Sequence, residues 1–340
     1  MLPFIQKAAL RASEIYRDSG AGTRVEKDGY TRVDPFWVAA QEGVTVMLRP
    51  LDKLLGAFIR QETSGILVNA ERSAGLIHMT CAHELGHYFM GHDTTADEKI
   101  DYGTSADRIE QEADWFAYQL LTPRLLLAHV IRRKDWSVQS LKDPLLLYQL
   151  SLRLGISYEA ALWSLYRQKL LDRPTVQVML KVQPAEIKRK LVGDKLLDPR
   201  KEVWLLDDHD RSSILEPRPE DQLLLRLKNH VSSGYVWSVD EIAAKGFQLR
   251  PILQQSKKPA DLSHVVFGGP STADYLLVRA ATTNLSQAQP IMLAMEERRS
   301  WSNDTPASAT FVVKAEFEQI HSGLTPAAKK QLLQEGALAS

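Results

Sequence analysis

The segment CAHELGHYFMGH, residues 81–92, carries the side chains best suited to catalysis. His83 and His87 are four positions apart, so on a helix both imidazoles lie on one face, about one turn apart. Glu84 directly follows the first histidine and completes the pattern His-Glu-x-x-His. Two imidazoles can occupy two corners of a tetrahedral zinc site, and the glutamate can accept a proton from the metal-activated water. The spacing therefore predicts one catalytic Zn²⁺ per chain, with Glu84 as general base.

A catalytic zinc usually has three protein ligands, so a third ligand must come from elsewhere in the chain. Gly91 and His92 follow the second histidine at offsets that do not fit the metzincin pattern. His92 is therefore predicted to support the site rather than to bind the metal. Cys81 is the single cysteine, which rules out an intramolecular disulfide. We expect it to be a small buried residue rather than a thiolate switch on the zinc.

The next helical segment, RIEQEADWFAYQLL at residues 108–121, offers three carboxylates. Glu112 is the preferred third ligand, because it borders a predicted apolar stripe that faces the core. The stripe consists of Ile109, Trp115, Phe116 and Leu120. Glu110 is the alternative ligand, and Asp114 could orient a ligand histidine through a hydrogen bond.

Three strand-like runs precede the motif helix. They cover residues 44–50, 54–61 and 64–70 and are rich in β-branched and aliphatic side chains. A helical pattern follows over residues 72–90, and a polar stretch separates it from the second helix, which Pro123 ends. The third run, SGILVNA, is a candidate edge strand that receives an extended substrate, and an ordinary sheet strand is at least as good an interpretation.

These pieces together resemble the ImmA/IrrE group of metallo-endopeptidases. The resemblance rests on ILVN at 66–69, on HMTCAHELGHYFMGH, and on EQEADWFAYQLLTP, and it covers roughly residues 30–125. It implies a zincin-like fold in which His83, His87 and the glutamate matching Glu112 hold zinc and Glu84 is the base. It also implies cleavage of a helix-turn-helix repressor, which would switch on stress or mobile-element genes.

The middle of the chain is helical and basic. LYQLSLRLGISYEAALWSLYRQKLL, at residues 147–171, has the form helix, glycine turn, helix. Residues 121–200 contain 15 Lys and Arg against 7 Asp and Glu. We favour a scaffold that supports the active site and contacts the substrate repressor, and direct DNA binding is the less favoured alternative.

Residues 201–320 contain seven strand-like runs separated by Gly, Pro, Ser and Asn, which favours an all-β sandwich. The runs are EVWLLDD, DQLLLRLKN, GYVWSV, HVVFGG, DYLLVRA, IMLAME and TFVVKAEFE. Three loops stand out, VSSGYVW at 231–237, FGGPST at 267–272 and the segment RSWSNDTPASATFVVKAEF from residue 299. They resemble the loops of chagasin-like cysteine-protease inhibitors, which are Ig-like sandwiches. The resemblance implies loops that plug the cleft of a papain-like protease, and we hypothesise that here they cover the chain's own cleft or bind a partner. The loop residues are Ser233, Gly234, Tyr235, Trp237, Gly268, Gly269, Arg299 and Trp301. An alternative function follows, in which the chain is a protease-binding or inhibitor module on a non-catalytic zincin scaffold.

The sequence as a whole predicts an α+β multidomain protein. We expect a zincin-like domain at 1–125, a helical segment resembling a helix-turn-helix at 126–200, a chagasin-like sandwich at 201–322, and a C-terminal helix or tail at 323–340. The formal net charge is zero, which excludes a nucleic-acid coat over the whole chain. No apolar run approaches the ~20 residues that a membrane span needs, so a soluble cytoplasmic protein without membrane partners is expected.

Overall fold

The structure is a computed structural model that describes residues 2–61, 64–97, 107–196, 198–238, 246–252, 272–279, 290–299, 301 and 309–334. Helices and sheets both contribute, so the predicted α+β class is confirmed. The chain divides into two compact units. The first consists of Met1–Gln183 together with Gln319–Ser340, and the second is Pro184–Glu318. These units do not test the four predicted domain boundaries, which stay a prediction.

The first unit begins with three helices, α1 (Pro3–Asp18), the single turn α2 (Ala21–Thr23) and α3 (Pro35–Gln41). Apolar residues three and four positions apart form one buried stripe along α1, which packs against a later helix. Asp34 begins α3, because its side chain accepts hydrogen bonds from the backbone N–H groups of Phe36 and Trp37 at 2.9 and 3.2 Å.

A five-stranded sheet lies beside these helices, and the three predicted strands are confirmed. Its strands are β1 (Thr45–Arg49), β2 (Gly56–Ile59), β3 (Gly65–Asn69), β4 (Thr95–Asp97) and β13 (Gly323–Leu324). Their order is β13-β1-β3-β2-β4. β3 pairs with β1 in parallel and with β2 in antiparallel, so the interpretation of SGILVNA as an edge strand was wrong. β4 is the outer strand on that side among the described residues.

Helix α4 (Ala74–Met90) packs against β2 and β3 of this sheet, and α5 (Arg108–Leu121) packs against α4. α4 is the predicted motif helix and ends at Gly91, whose φ of +80° suits the left-handed cap. α5 begins at Asp107, whose side chain accepts from the N–H of Ile109 at 2.9 Å. Gly86 allows the helices to touch, since a Cβ there would lie 2.8 Å from the Cα of Ala113.

Four further helices complete most of the first unit. They are α6 (Arg124–Arg133), α7 (Pro144–Leu154), α8 (Tyr158–Arg167) and α9 (Arg173–Met179). Gly155, with φ of +67°, separates α7 from α8, as the helix, glycine turn, helix pattern predicted. Within the described part of the chain, no helix combines the length and the apolar character needed to cross a membrane.

The second unit begins with α10 (Pro184–Val192) and continues with two four-stranded sheets. The first sheet has the order β5-β7-β10-β9, from β5 (Val203–Leu206), β7 (Gln222–Lys228), β9 (Phe247–Ile252) and β10 (Thr272–Arg279). The second has the order β6-β12-β11-β8, from β6 (Ile214–Leu215), β8 (Tyr235–Ser238), β11 (Ile291–Arg299) and β12 (Ala309–Ala315). Each sheet mixes parallel and antiparallel pairs.

Six of the seven predicted strand runs in this unit are strands. The seventh, HVVFGG at 264–269, lies outside the described residues. β6 and β9 were not predicted from the sequence. The Ig-like identity of the two sheets stays a prediction.

The C-terminal segment returns to the first unit. β13 pairs with β1, so that Leu324 lies opposite Met47, and the N–H of Thr325 donates to the carbonyl of Val46 at 3.2 Å. The helix α11 (Pro326–Gln334) follows and packs against α3. The last predicted segment is therefore a helix joined to the first sheet, with a strand before it.

Candidate metal centre

The two motif histidines meet on one face of α4, as their spacing predicts. His83 and His87 are 1% and 0% exposed, and their Nε2 atoms lie 3.0 Å apart. Two imidazole nitrogens at this distance can both bind one ion, because ligands about 2.1 Å from a tetrahedral zinc lie about 3.4 Å from each other. The helix therefore presents a prepared pair of nitrogen ligands.

Glu110, in the first turn of α5, supplies the carboxylate nearest to both histidines. Its Oε2 lies 3.2 Å from Nε2 of His83, and its Oε1 lies 3.8 Å from Nε2 of His87. The ligand atoms of these three residues all lie within 4.8 Å of one another. The cluster of His83, His87 and Glu110 is thus compatible with a metal ion.

Asp114 lies one turn after Glu110 on the same helix and contacts the other side of the first histidine. Its Oδ1 is 2.9 Å from Nδ1 of His83, and the carboxylate is 1% exposed. Because a carboxylate accepts, Nδ1 of His83 carries a hydrogen, and Nε2 is the nitrogen that faces the cluster. Asp114 therefore lies where the predicted orienting role requires it.

Glu112, the preferred ligand from the sequence, is not brought to the histidine pair. Its Oε1 accepts from Nε of Arg108 at 2.8 Å, and its Oε2 lies 3.2 Å from Nε2 of His92. Residues two apart on a helix point in nearly opposite directions, so Glu110 and Glu112 cannot both face the pair.

The predicted apolar stripe on α5 led to the choice of Glu112 as the third ligand. Ile109 is 44% exposed, and the face of α5 that is fully buried is formed by Ala113, Phe116, Ala117 and Leu120. A better signal was present in the sequence. Glu110 and Asp114 are four apart, like His83 and His87, so the two helices can present matching pairs.

His92 connects Glu112 to the metal cluster. Its Nδ1 lies 2.9 Å from Nδ1 of His87, while its Nε2 contacts the Glu112 carboxylate. One arrangement of hydrogens satisfies every contact: His87 donates from Nδ1 to His92, and His92 donates from Nε2 to Glu112. This arrangement puts the lone pair of His87 on Nε2, the nitrogen that faces the cluster. His92 therefore supports the site without being part of the cluster, as expected.

The predicted general base, Glu84, is fully buried in a space that a strand leaves open for it. Its Oε2 accepts a hydrogen bond from Oγ1 of Thr95 in β4 at 3.4 Å. A Cβ at Gly56 in β2 would lie 2.6 Å from Oε1 of Glu84 and 2.5 Å from Cγ2 of Thr80. The glycine is therefore required where the sheet passes the carboxylate. Sequence reasoning missed Gly56 and Thr95, and a glycine inside a strand pattern was the available signal.

Arg60, just after β2, holds the end of α4 that carries the second histidine. Its Nε donates to the carbonyl of His92 at 2.7 Å, and its Nη2 donates to the carbonyl of Tyr88 at 2.9 Å. These carbonyls belong to a helix end and the residues after it, where intrahelical donors are lacking. Arg60 was not predicted, because a single arginine in a strand carries no sequence signal for such a role.

The electrostatics of the cluster favour one positive charge. Burial lowers the pKa of His83, but hydrogen bonds to Asp114 and Glu110 outweigh this effect and hold the pKa well above its usual value. Burial, together with the neighbouring imidazoles of His83 and His92, lowers the pKa of His87 to about 2. A metal cation would take the place of the proton shared by this pair. Cys81 is buried as predicted, and burial raises the pKa of its thiol well above the usual value.

Comparisons with known proteins bear on the first unit. Residues 39–166 match the peptidase family described as the IrrE N-terminal-like domain, Peptidase_M78. This range contains all the residues of the cluster, so the match indicates a metallopeptidase-like domain. No curated protein matches the chain in a sequence search.

Solved structures similar to part of the chain include a protease inhibitor. It is the cysteine protease inhibitor EhICP2 from Entamoeba histolytica, 13% identical, with 36% of this chain and 100% of that chain covered and a TM-score of 0.26. A TM-score of this size carries no argument about the fold.

The predicted interaction loops of the second unit are described in part. Gly234 has φ of +80°, and the Trp301 indole lies against it, where a Cβ would be 1.9 Å from the ring. Arg299 stacks on Tyr235 at 5.1 Å, and Nε1 of Trp237 donates to the carbonyl of Lys228 at 2.9 Å. The remaining residues are Ser233, which is exposed, and Gly268 and Gly269, which lie outside the described residues. Trp301 is 69% exposed.

Proposed function

We propose that the chain is a zinc-dependent endopeptidase whose metal is held by His83, His87 and Glu110. The observation that carries the proposal is the convergence of these three groups beside Glu84 within a metallopeptidase-like domain. Two histidine nitrogens and one carboxylate form a common ligand set of catalytic zinc. The set leaves one coordination position open.

The mechanism assigns a separate task to each side chain. Zinc, when bound, supplies an activated water for attack on the peptide carbonyl. Glu84 accepts a proton at its carboxylate and returns it to the leaving amine, and Thr95 fixes the orientation of that carboxylate. Asp114 and the His92–Glu112 pair hold the two ligand histidines in the required tautomers.

The outer strand β4 is the place where a peptide substrate is expected to bind. It pairs with β2 on one side, and Thr95 within it contacts Glu84. An extended peptide that adds to this strand would gain backbone hydrogen bonds close to the base. β4 therefore takes the place of β3 as the strand expected to bind substrate, because β3 is paired on both sides.

The substrate we propose is a helix-turn-helix repressor, in a cytoplasmic setting, with the second unit as a sandwich that gates or recruits the substrate. DNA binding by the basic helices remains the less favoured alternative. A protease-binding module on a non-catalytic scaffold is disfavoured by the complete donor set. A stoichiometric inhibition assay against papain separates that alternative from catalysis.

Zinc binding tests the ligand assignment. We expect Glu110→Gln to lose zinc to a competing chelator at chelator concentrations at which Glu112→Gln keeps its zinc. The two variants make the same chemical change two residues apart on one helix, so each controls for the other. The reverse result would restore Glu112 as the ligand.

Cleavage tests the mechanism. The assay uses a repressor encoded beside the gene, with the fragments identified by mass spectrometry. Glu84→Gln should keep zinc and lose cleavage, because the amide cannot accept the proton. Cleavage that persists in this variant would contradict the role of Glu84.

A further inference from the structure

The first unit contains a cavity that the proposed catalysis does not use. It has a volume of about 330 Å³ and is lined by parts of α1, α5 and α8 and by the start of α6. Trp115 and Tyr118 of α5 form part of its wall. The volume is in the range of small-molecule sites and far exceeds the ~30 Å³ that one water occupies.

The charge of this cavity is entirely positive. Arg124, Arg167 and Lys169 line it, and none of the described residues that line it is acidic. Arg124 and Lys169 make no ion pair with any described carboxylate. Three like charges around one cavity repel each other, so an anion inside it would stabilise the folded protein.

Arg167 is held in a fixed orientation against the aromatic wall. Its guanidinium lies 3.8 Å from the ring centre of Tyr118 and 5.2 Å from that of Trp115. A guanidinium stacked on a ring keeps its N–H donors at its edges, where they can bind two oxygens of one anion. The arginine is therefore positioned at little further entropic cost.

Lys169 occupies a backbone conformation that lysine rarely adopts. Its φ is +61°, just after the end of α8, where glycine is the usual residue. A side chain at this position costs on the order of 1 kcal/mol in backbone strain. This strained residue is one of the three cationic residues that line the cavity.

We infer that this cavity binds a small soluble phosphate ester. Two guanidinium groups and one ammonium group match the charge and the oxygens of a phosphate. The volume exceeds what inorganic phosphate alone needs, so a sugar or a similar polar body fits beside it. The inference does not depend on the metal centre, because its test measures binding and not cleavage.

Isothermal titration of the full-length protein with ribose 5-phosphate tests this inference. Ribose at the same concentration is the matched neutral ligand and should not bind. We expect Lys169→Gly and Arg124→Gln each to weaken binding of the ester about five- to tenfold, since each removes one charged contact. Lys169→Gly relieves backbone strain, so we expect this variant to stay folded, and thermal denaturation checks this.

Arg132→Gln is the control variant, because this exposed arginine lies on α6, like Arg124, and does not line the cavity. It should change the affinity less than twofold. Absence of binding, equal binding of ribose, or equal weakening by the control variant would overturn the inference. Tighter binding of a short DNA duplex than of the ester would also overturn it, in favour of a nucleic-acid surface.

Discussion

Gly86 lies where α4 and α5 approach most closely, and an alanine there would push the two helices apart. The Cβ of this alanine would lie 2.8 Å from the Cα of Ala113 and 2.9 Å from the carbonyl oxygen of Ala113, whereas ordinary contact begins at 3.4 Å. Backbone atoms cannot rotate away, so the helices must separate by about 0.6 Å. The same shift would lengthen the 2.9 Å contact between His83 and Asp114 to the limit of a hydrogen bond. Overpacking of this kind typically costs about 1–3 kcal/mol.

We expect Gly86→Ala to weaken zinc binding by about 10- to 100-fold, which is the usual effect of disturbing groups that orient metal ligands. Competition with a coloured chelator measures this affinity, and thermal denaturation measures the accompanying loss of stability. Gly91→Ala is the matched control, because it introduces strain at φ of +80° while nothing lies within 4 Å of its Cβ. It should destabilise the protein and leave zinc affinity unchanged. Wild-type zinc affinity in Gly86→Ala would refute the argument.

Three further predictions concern single residues. Cys81 is 0% exposed, so a thiol reagent should modify it only in denaturant, and rapid modification of the folded protein would contradict the packing of α4. Burial raises the pKa of Asp221 to about 6, above the value of about 4 in an unfolded chain. The folded state therefore binds this proton more tightly than the unfolded state does. Below about pH 4 this adds at most about 3 kcal/mol to the free energy of unfolding, and the contribution is lost as the pH rises through 6. Urea denaturation of the wild type and of Asp221→Asn at several pH values should show this fall in the difference between their free energies of unfolding. A difference that does not change with pH would argue against it. Arg60→Met should lower stability by about 1 kcal/mol in the same assay, since the carbonyls of Tyr88 and His92 lose a donor, and an unchanged midpoint would contradict this role.

The chemical residues of α4 could be predicted from the sequence because their function depends on local spacing. His83 and His87 need only a helix to bring them together, and the helical pattern is strong. The strands before them were equally accessible, since their aliphatic runs are bounded by turn residues. Local periodicity therefore accounts for the two of the three cluster residues that lie on one helix.

The third residue of the cluster depends on how two helices pack, and the sequence does not contain that information directly. The choice between Glu110 and Glu112 requires the face of α5 that meets α4. The sequence pattern placed Ile109 on that face, but the close contact at Gly86 and Ala113 selects a different one. Small residues decide the packing, and they have no hydrophobic signal of their own.

The path of the chain also changes how the second unit can be tested. Residues 319–334 return to the first unit and add β13 to its sheet, so the second unit is inserted between two parts of the first. A C-terminal deletion would expose the edge of β1, and any loss of activity would be uninterpretable.

Replacing residues 184–318 by a flexible linker keeps β13 and α11 in the chain. If the second unit gates or recruits the substrate, this variant should bind zinc normally and cleave its repressor at a changed rate or with changed selectivity. Unchanged zinc loading, rate and selectivity would contradict that role.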